Sequence, residues 1–346
     1  MIDAARELAR ELPGYRASHD TERRLAAPVV ERVRGFLGAL VPRELGGNEI
    51  TPMDYVRVLE ALATGDSATA WCVMTSTTTA VLSAYLPRAT AAAVCRDMPF
   101  MAGAFAPMGK LRDGRLTGRW SYVSGSRHAA WFALGVIRDG GHAFAMVPAV
   151  NVSIVDNWDT LGLAGTGSHD VTVDVPVADD HVVSVFGHVP WSDGPLYKMP
   201  LFGLLAVGIA ACGLGIAGSA VGHASQLGKD PSSYRYATWA RTRARLDAAR
   251  AMLVAAVDGA YRQQPAVTND ESRGQLRLAA SHVASEAAEI VRASFHIVGG
   301  AAVRAGHPVQ AALRDIETLL THRMVADRVV PAAARAILGG GAPPDL

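Results

Sequence analysis

From Met199 to Gly222 the chain carries no Asp, Glu, Lys, Arg or His. A helix of that length could cross a bilayer, or it could be wrapped on all sides by other helices. Composition separates the two. Glycines fall at 203, 208, 213, 215, 218 and 222, with five alanines among them, and bulky lipid-facing side chains are few. Small residues let neighbouring helices approach closely in a packed interior. The run therefore predicts the enveloped helix of a bundle, not a membrane span. A chain of 346 residues, 50% hydrophobic, has the apolar mass to envelop it.

Around that run the pattern is helical, then β, then helical. Leu8, Leu12, Leu25, Val29, Val33 and Phe36 recur near helical spacing. Pro42, Gly46 and Gly47 mark a turn. Thr51-Pro52 supplies an N-cap and a first-turn proline for a helix with Tyr55, Val58, Leu59 and Leu62 on one side. A further helix opens at Asp66-Ser67 and runs to about Leu86-Pro87, and a short one follows from Arg88 to Asp97. From Phe100 to about His188 glycines separate short β-type runs: Leu116–Val123, Trp131–Ile137, Ala143–Val147, Val152–Trp158 and Val171–Val177. That spacing predicts a small antiparallel barrel or sandwich. Long helices are expected at 200–228, 233–263, 270–298 and 308–338. The class is α+β, in three units: an N-terminal helical domain (1–99), a middle β-barrel domain (100–195) and a C-terminal four-helix bundle (196–346).

The net charge of +1, without a basic block, gives no support to a nucleic-acid partner. Cys72, Cys95 and Cys212 lack the spacing of a zinc site and suit a reducing cytoplasm. The opening MIDAARELARELPGYR is charged and helical, unlike a signal peptide.

The stretch 295–323 holds Gly299-Gly300, then a helix beginning near Pro308 that carries Arg314-Asp315 and, seven residues on, His322. Two helical turns would place Asp315 and His322 on one face. On its residues alone this is a hinge between helices with a buried polar stripe.

Four stretches in order carry a resemblance. They are Val41-Pro42-Arg43-Glu44-Leu45-Gly46-Gly47; Gly118-x-Trp120-x-Tyr122-Val123-Ser124-Gly125-Ser126-x-His128-Ala129-x-Trp131; Leu161-Gly162-Leu163-x-Gly165-Thr166-Gly167-Ser168-His169-Asp170-Val171; and His296-Ile297-Val298-Gly299-Gly300 followed by Gln310-x-x-x-Arg314-Asp315. From about residue 20 to about 340 the chain resembles the acyl-CoA dehydrogenase superfamily. In many true dehydrogenases a Tyr-Glu pair follows that Asp by seven and eight residues, and the Glu removes the substrate's α-proton. Here His322 and Arg323 stand there, so the resemblance points to the hydroxylase branch, the flavin-dependent two-component monooxygenases.

That branch implies reduced FMN or FAD delivered by a separate flavin reductase. It further implies O2, a C4a-hydroperoxyflavin, hydroxylation of a small aromatic or amine substrate, and a homotetramer. It casts His322 in acid/base work, where an imidazole titrating near neutrality would serve, and Ser124 at the reacting edge of the flavin. Trp71, Ser124, Ser126, Thr166, Ser168, Gly299 and Gly300 become flavin contacts. Each has an ordinary alternative: Ser124-Gly125-Ser126 as a turn, 165–170 as a hairpin loop in which His169 and Asp170 satisfy each other or solvent, Gly299-Gly300 as a helix cap. His296 replaces the usual Gln, which leaves FMN and FAD equal. Arg314 and Asp315 are expected to be structural, pairing within the bundle or across a subunit contact. Several hydroxylases carry a His where this chain has Thr75-Ser76-Thr77-Thr78-Thr79; the hydroxyls would line a polar pocket or fill a buried helix turn. Arg241, Arg243, Arg245 and Arg250 read as a solvated basic face. Two other readings stay open: a dehydrogenase-like oxidoreductase that has moved its base, for instance to Glu317, and a non-catalytic relative.

Overall fold

A computed structural model describes residues 1–186, 188–226, 232–262, 269–343 and 346. Helices α1 (Ile2–Glu11), α2 (Arg16–Glu22), α3 (Ala27–Leu37), α4 (Pro52–Gly65), α5 (Ser67–Ala80) and α6 (Arg88–Val94) come first. The predicted cap forms, Thr51 Oγ1 accepting from Asp54 N at 3.1 Å, and Asp66 caps α5 in the same way, its Oδ2 accepting from Thr69 N at 2.9 Å. Leu8, Leu12, Leu25, Val29, Val33 and Phe36 are all buried.

Strands follow: β1 (Met101–Arg112), β2 (Arg115–Val123), β3 (Trp131–Arg138), β4 (Gly141–Pro148), β5 (Ser153–Val155), β6 (His169–Pro176) and β7 (Val182–Val183). They form one seven-stranded sheet in the order β5-β6-β2-β1-β3-β4-β7. The expected antiparallel barrel is corrected on two counts. The sheet is open, with β5 and β7 at its edges, and β1 runs parallel to β3. The expectation missed β1 altogether because its residues carry little β-branched signal: it includes Ala102, Gly103, Ala104, Ala106, Pro107 and Gly109. Its register shifts between Ala104 and Gly109, and this irregular stretch accommodates Pro107. One glycine of β1 and one of β2 serve Trp120. Gly109 and Gly118 leave room for the indole, whose Nε1 donates to Gly135 O at 2.8 Å. The expected strand at 152–158 shrinks to Ser153–Val155.

The chain then returns to helix: α7 (Leu201–Ala224), α8 (Ser233–Arg262), α9 (Asp270–Val298), α10 (Pro308–Leu320) and α11 (Val330–Ile337). α7 is the one helix among the described residues long and apolar enough to cross a membrane, and 94% of its most apolar window is buried. Gly203, Gly208 and Gly215 mark close approaches. A Cβ at Gly215 would run into Glu60 O and Ala63 Cβ of α4, and one at Gly208 would meet Met74 of α5 and Tyr55 of α4. The helix expected over 308–338 is broken: α10 stops at Leu320, a turn spans 321–326, and α11 starts at Val330 with Pro331 in its first turn. A proline inside one continuous helix would lack its N–H and collide with the carbonyl four residues back. His322 therefore lies past the end of α10 and does not share a helix face with Asp315.

Candidate active site

α5, β1, the end of β2, the 158–168 loop, α7 and the 321–328 turn enclose a cavity of about 1170 Å³. Trp71, Ser124, Thr166 and Ser168 stand together on one wall, each less than 10% exposed. Trp71 Nε1 donates to Ser124 Oγ at 2.9 Å. Ser124 Oγ lies 2.7 Å from Ser168 Oγ, which lies 2.7 Å from Thr166 Oγ1. Thr166 Oγ1 donates to Leu163 O at 2.8 Å. The local backbone turns these groups inward. A register shift between Trp120 and Val123 puts Tyr122 at φ 64°, and Gly125 follows at 71°.

His322 joins the same cavity from the turn after α10. Its ring meets Trp71 edge to face at 5.6 Å. Burial, then the charges of Arg277, Arg323 and Arg328, push its pKa down to about 4. The imidazole is thus neutral at pH 7, not poised near neutrality as a base. Its Nδ1 accepts from Met324 N at 3.2 Å, so the proton of the neutral ring sits on Nε2.

The loop bearing Thr166 and Ser168 is held by Asp315. That carboxylate takes two bonds from Arg16 of α2, at 2.7 and 2.9 Å, a short one from Ser67 Oγ of α5, and one from Leu163 N at 2.7 Å. The expectation of a structural Asp315 paired within the bundle or across subunits is corrected as to partner. It ties α10 to the N-terminal helices and to the loop. Gly162, Gly165 and Gly167 allow the loop to press against Arg314 O, His19 and Arg23 O.

Other predicted site residues sit elsewhere. Ser126 Oγ donates to Gly167 O at 3.0 Å and supports the loop without lining the cavity. Gly299 (φ 73°) closes α9, and neither it nor Gly300 lines this chain's cavity. His169 and Asp170 do not bond to each other. His169 Nδ1 accepts from Asn157 N and Trp158 N at 3.2 and 3.1 Å, while Asp170 pairs with Arg119 at 2.8 Å. Of the α5 threonines, Thr75, Thr78 and Thr79 do line the cavity and Thr77 does not, while each hydroxyl donates to its own helix: Thr75 to Cys72 O, Thr77 to Val73 O, Thr78 to Met74 O, Thr79 to Thr75 O. Glu317 reaches the cavity but is paired with Arg292 at 2.6 Å. Sequence reasoning missed the far wall, Phe105, His142, Phe186 and Phe202, where Phe186 and Phe202 stack at 5.8 Å and Phe105 meets Phe202 at 6.0 Å. Phe202 opens the apolar run and read only as core; no signal marked the others.

The profile described as acyl-CoA dehydrogenase, N-terminal domain, matches residues 1–93, and that described as acyl-CoA dehydrogenase, C-terminal domain, matches 207–327. Indole-3-acetate monooxygenase of Pseudomonas putida is 28% identical over 358 residues, covering 94% of this chain and 89% of that protein. L-evernosamine nitrososynthase of a Micromonospora species is 30% identical over 323 residues, covering 82% and 76%. The chain belongs to the flavin-dependent monooxygenase branch of the acyl-CoA dehydrogenase superfamily. The same fold is seen in XiaF from a Streptomyces species, solved with FADH2 and glycerol: the TM-score is 0.88, identity 24%, and 100% of this chain and 96% of that one are covered.

The residues present fit the flavin this family uses. A fused ring with a polar edge wants an aromatic surface and hydrogen-bonding groups, and Trp71, Ser124, Ser168 and His322 bring both to the cavity. The volume exceeds the roughly 300–1,000 Å³ of an ordinary small-ligand site, leaving room for a second molecule against the aromatic far wall.

Proposed function

We propose that this chain is the oxygenase component of a two-component system, hydroxylating a small aromatic or amine substrate with reduced FMN or FAD and O2. Reduced flavin, when bound, supplies the activation of O2 for transfer of one oxygen atom. Ser124 would meet its polar edge, with Trp71, Ser168 and Thr166 in the wall that orients it. The carrying observation is His322: a neutral imidazole facing the cavity beside Trp71, with its proton on Nε2. From Nε2 it donates a hydrogen bond to an oxygen of the bound reactants. A bound anion would offset the charges of Arg277, Arg323 and Arg328 and raise its pKa, so proton transfer is expressed when the site is filled. The aromatic far wall favours an aromatic substrate over an amine. Glu317, held by Arg292, is a poor base, which disfavours a dehydrogenase reading.

A separate flavin reductase, a homotetramer and a cytoplasmic location complete this reading. In this reading Gly299-Gly300, outside this chain's own cavity, would meet the flavin of another subunit, and the three buried free cysteines suit a reducing compartment. The test supplies reduced flavin under 18O2 with candidate aromatics. One 18O atom in the product is expected. Turnover of an acyl-CoA without oxygen incorporation would sink the proposal.

A further inference from the structure

Resting on the flavin reading above, the geometry points to a built-in choice of flavin oxidation state, made by the direction of the hydroxyl chain behind Ser124. A carbonyl only accepts, so Thr166 Oγ1 commits its single proton to Leu163 O at 2.8 Å. Ser168, 2.7 Å away, must then donate to Thr166. Ser124, 2.7 Å from Ser168, must in turn donate to Ser168. The indole N–H of Trp71 can only donate, and it does so to Ser124. Every proton in the row is assigned and runs one way, from Trp71 to Leu163 O. What Ser124 keeps for the cavity is one lone pair and no proton.

An acceptor-only hydroxyl distinguishes two states of a flavin. The central nitrogen N5 of the oxidised ring offers a lone pair, and two lone pairs repel. In the reduced ring N5 carries a hydrogen, which Ser124 can accept. Thr166 and Ser168 are thus positioning residues. They never need to touch the flavin to set its preferred state, because they orient the group that does. Burial keeps the row from being reset by water: Ser124, Ser168 and Thr166 are 6%, 4% and 1% exposed.

The test measures dissociation constants for oxidised FMN and FAD, and for the same flavins reduced with dithionite under argon, together with the midpoint potential of the bound flavin. Wild type is expected to bind the reduced form more tightly. Thr166→Val frees the Ser168 proton to point back at Ser124, and Ser168→Ala removes the acceptor of the Ser124 proton. In either variant Ser124 can donate into the cavity. The reduced-to-oxidised preference should shrink about tenfold, lowering the bound potential by about 30 mV for a two-electron couple. Thr166→Ser restores the acceptor and should keep the wild-type ratio. So should Trp71→Phe, which removes a donor to Ser124 without redirecting its proton. Unchanged ratios in both Thr166→Val and Ser168→Ala would overturn the inference, as would a wild type indifferent to oxidation state or an equal loss in Trp71→Phe. A wild type that binds neither state removes the flavin reading itself, a distinct failure.

Discussion

At the residue scale, two histidines with depressed pKa values make the protein acid-sensitive. Burial leads in both, and His322 and His128 are each pushed down to about 4. A free histidine titrates near 6.5. Between about pH 6.5 and 4 the unfolded chain therefore binds protons that the folded chain refuses, and stability falls as pH falls through that window. Thermal melts at stepped pH should show a loss on the order of a few kcal/mol, with a shallower slope in His322→Asn. Replacing His322 by Ala should slow oxygenation about 10²- to 10³-fold while flavin affinity stays within a few fold; equal rates would remove it from the mechanism. The presence of an imidazole at this position is a fact of the sequence. Its charge is not, because the lowering depends on burial and on Arg277, distant in the chain and brought close by folding.

At the element scale, the glycines of α7 differ in what packs against them. A methyl group at Gly215 meets the backbone of α4, whereas one at Gly222 meets nothing within 4 Å. Gly215→Ala should destabilise by about 1–3 kcal/mol. Gly222→Ala should be neutral or stabilise by up to about 1 kcal/mol through helix propensity. Paired melting curves check both, and equal effects would contradict the packing described. This helix was legible in advance because a long charge-free, small-residue run admits few solutions. β1 was not, since its alanines, glycines and proline suggest no period. The end of α10 could have been read from Pro331, but the surrounding helical pattern masked it.

At the scale of the whole molecule, Asp315 joins parts of the chain far apart in sequence: Arg16, Ser67 and Leu163 meet on one carboxylate. Asp315→Ala leaves Arg16 its contacts with Asp20 and Asp66 but strips Ser67 Oγ and Leu163 N of their buried acceptor, so it should cost about 2–3 kcal/mol. It should also loosen the loop carrying Thr166 and Ser168. Hydrogen exchange at 162–168 would register that loosening before global unfolding; protection unchanged from wild type would show that the loop stands without the clamp. The nearby Asp66, although buried, is held below the usual carboxylate range by its bonds to His19 and Thr69 and by the charge of Arg16. Its contribution is present above the unfolded pKa near 3.9 and is lost as pH falls through the lower folded value.

Local chemistry alone determined the helical ends, the β middle and the buried run, because periodicity, caps and turn residues act over a few neighbours. The resemblance to the superfamily, not local chemistry, marked Trp71, Ser124, Thr166, Ser168 and His322, which the fold gathers on one cavity. Tertiary structure decided what no neighbour relation encodes. It opened the sheet, separated His322 from Asp315, and chose which hydroxyl donates to which. The reason is that burial, charge proximity and proton direction belong to groups in contact, and these contacts span tens to hundreds of residues of chain.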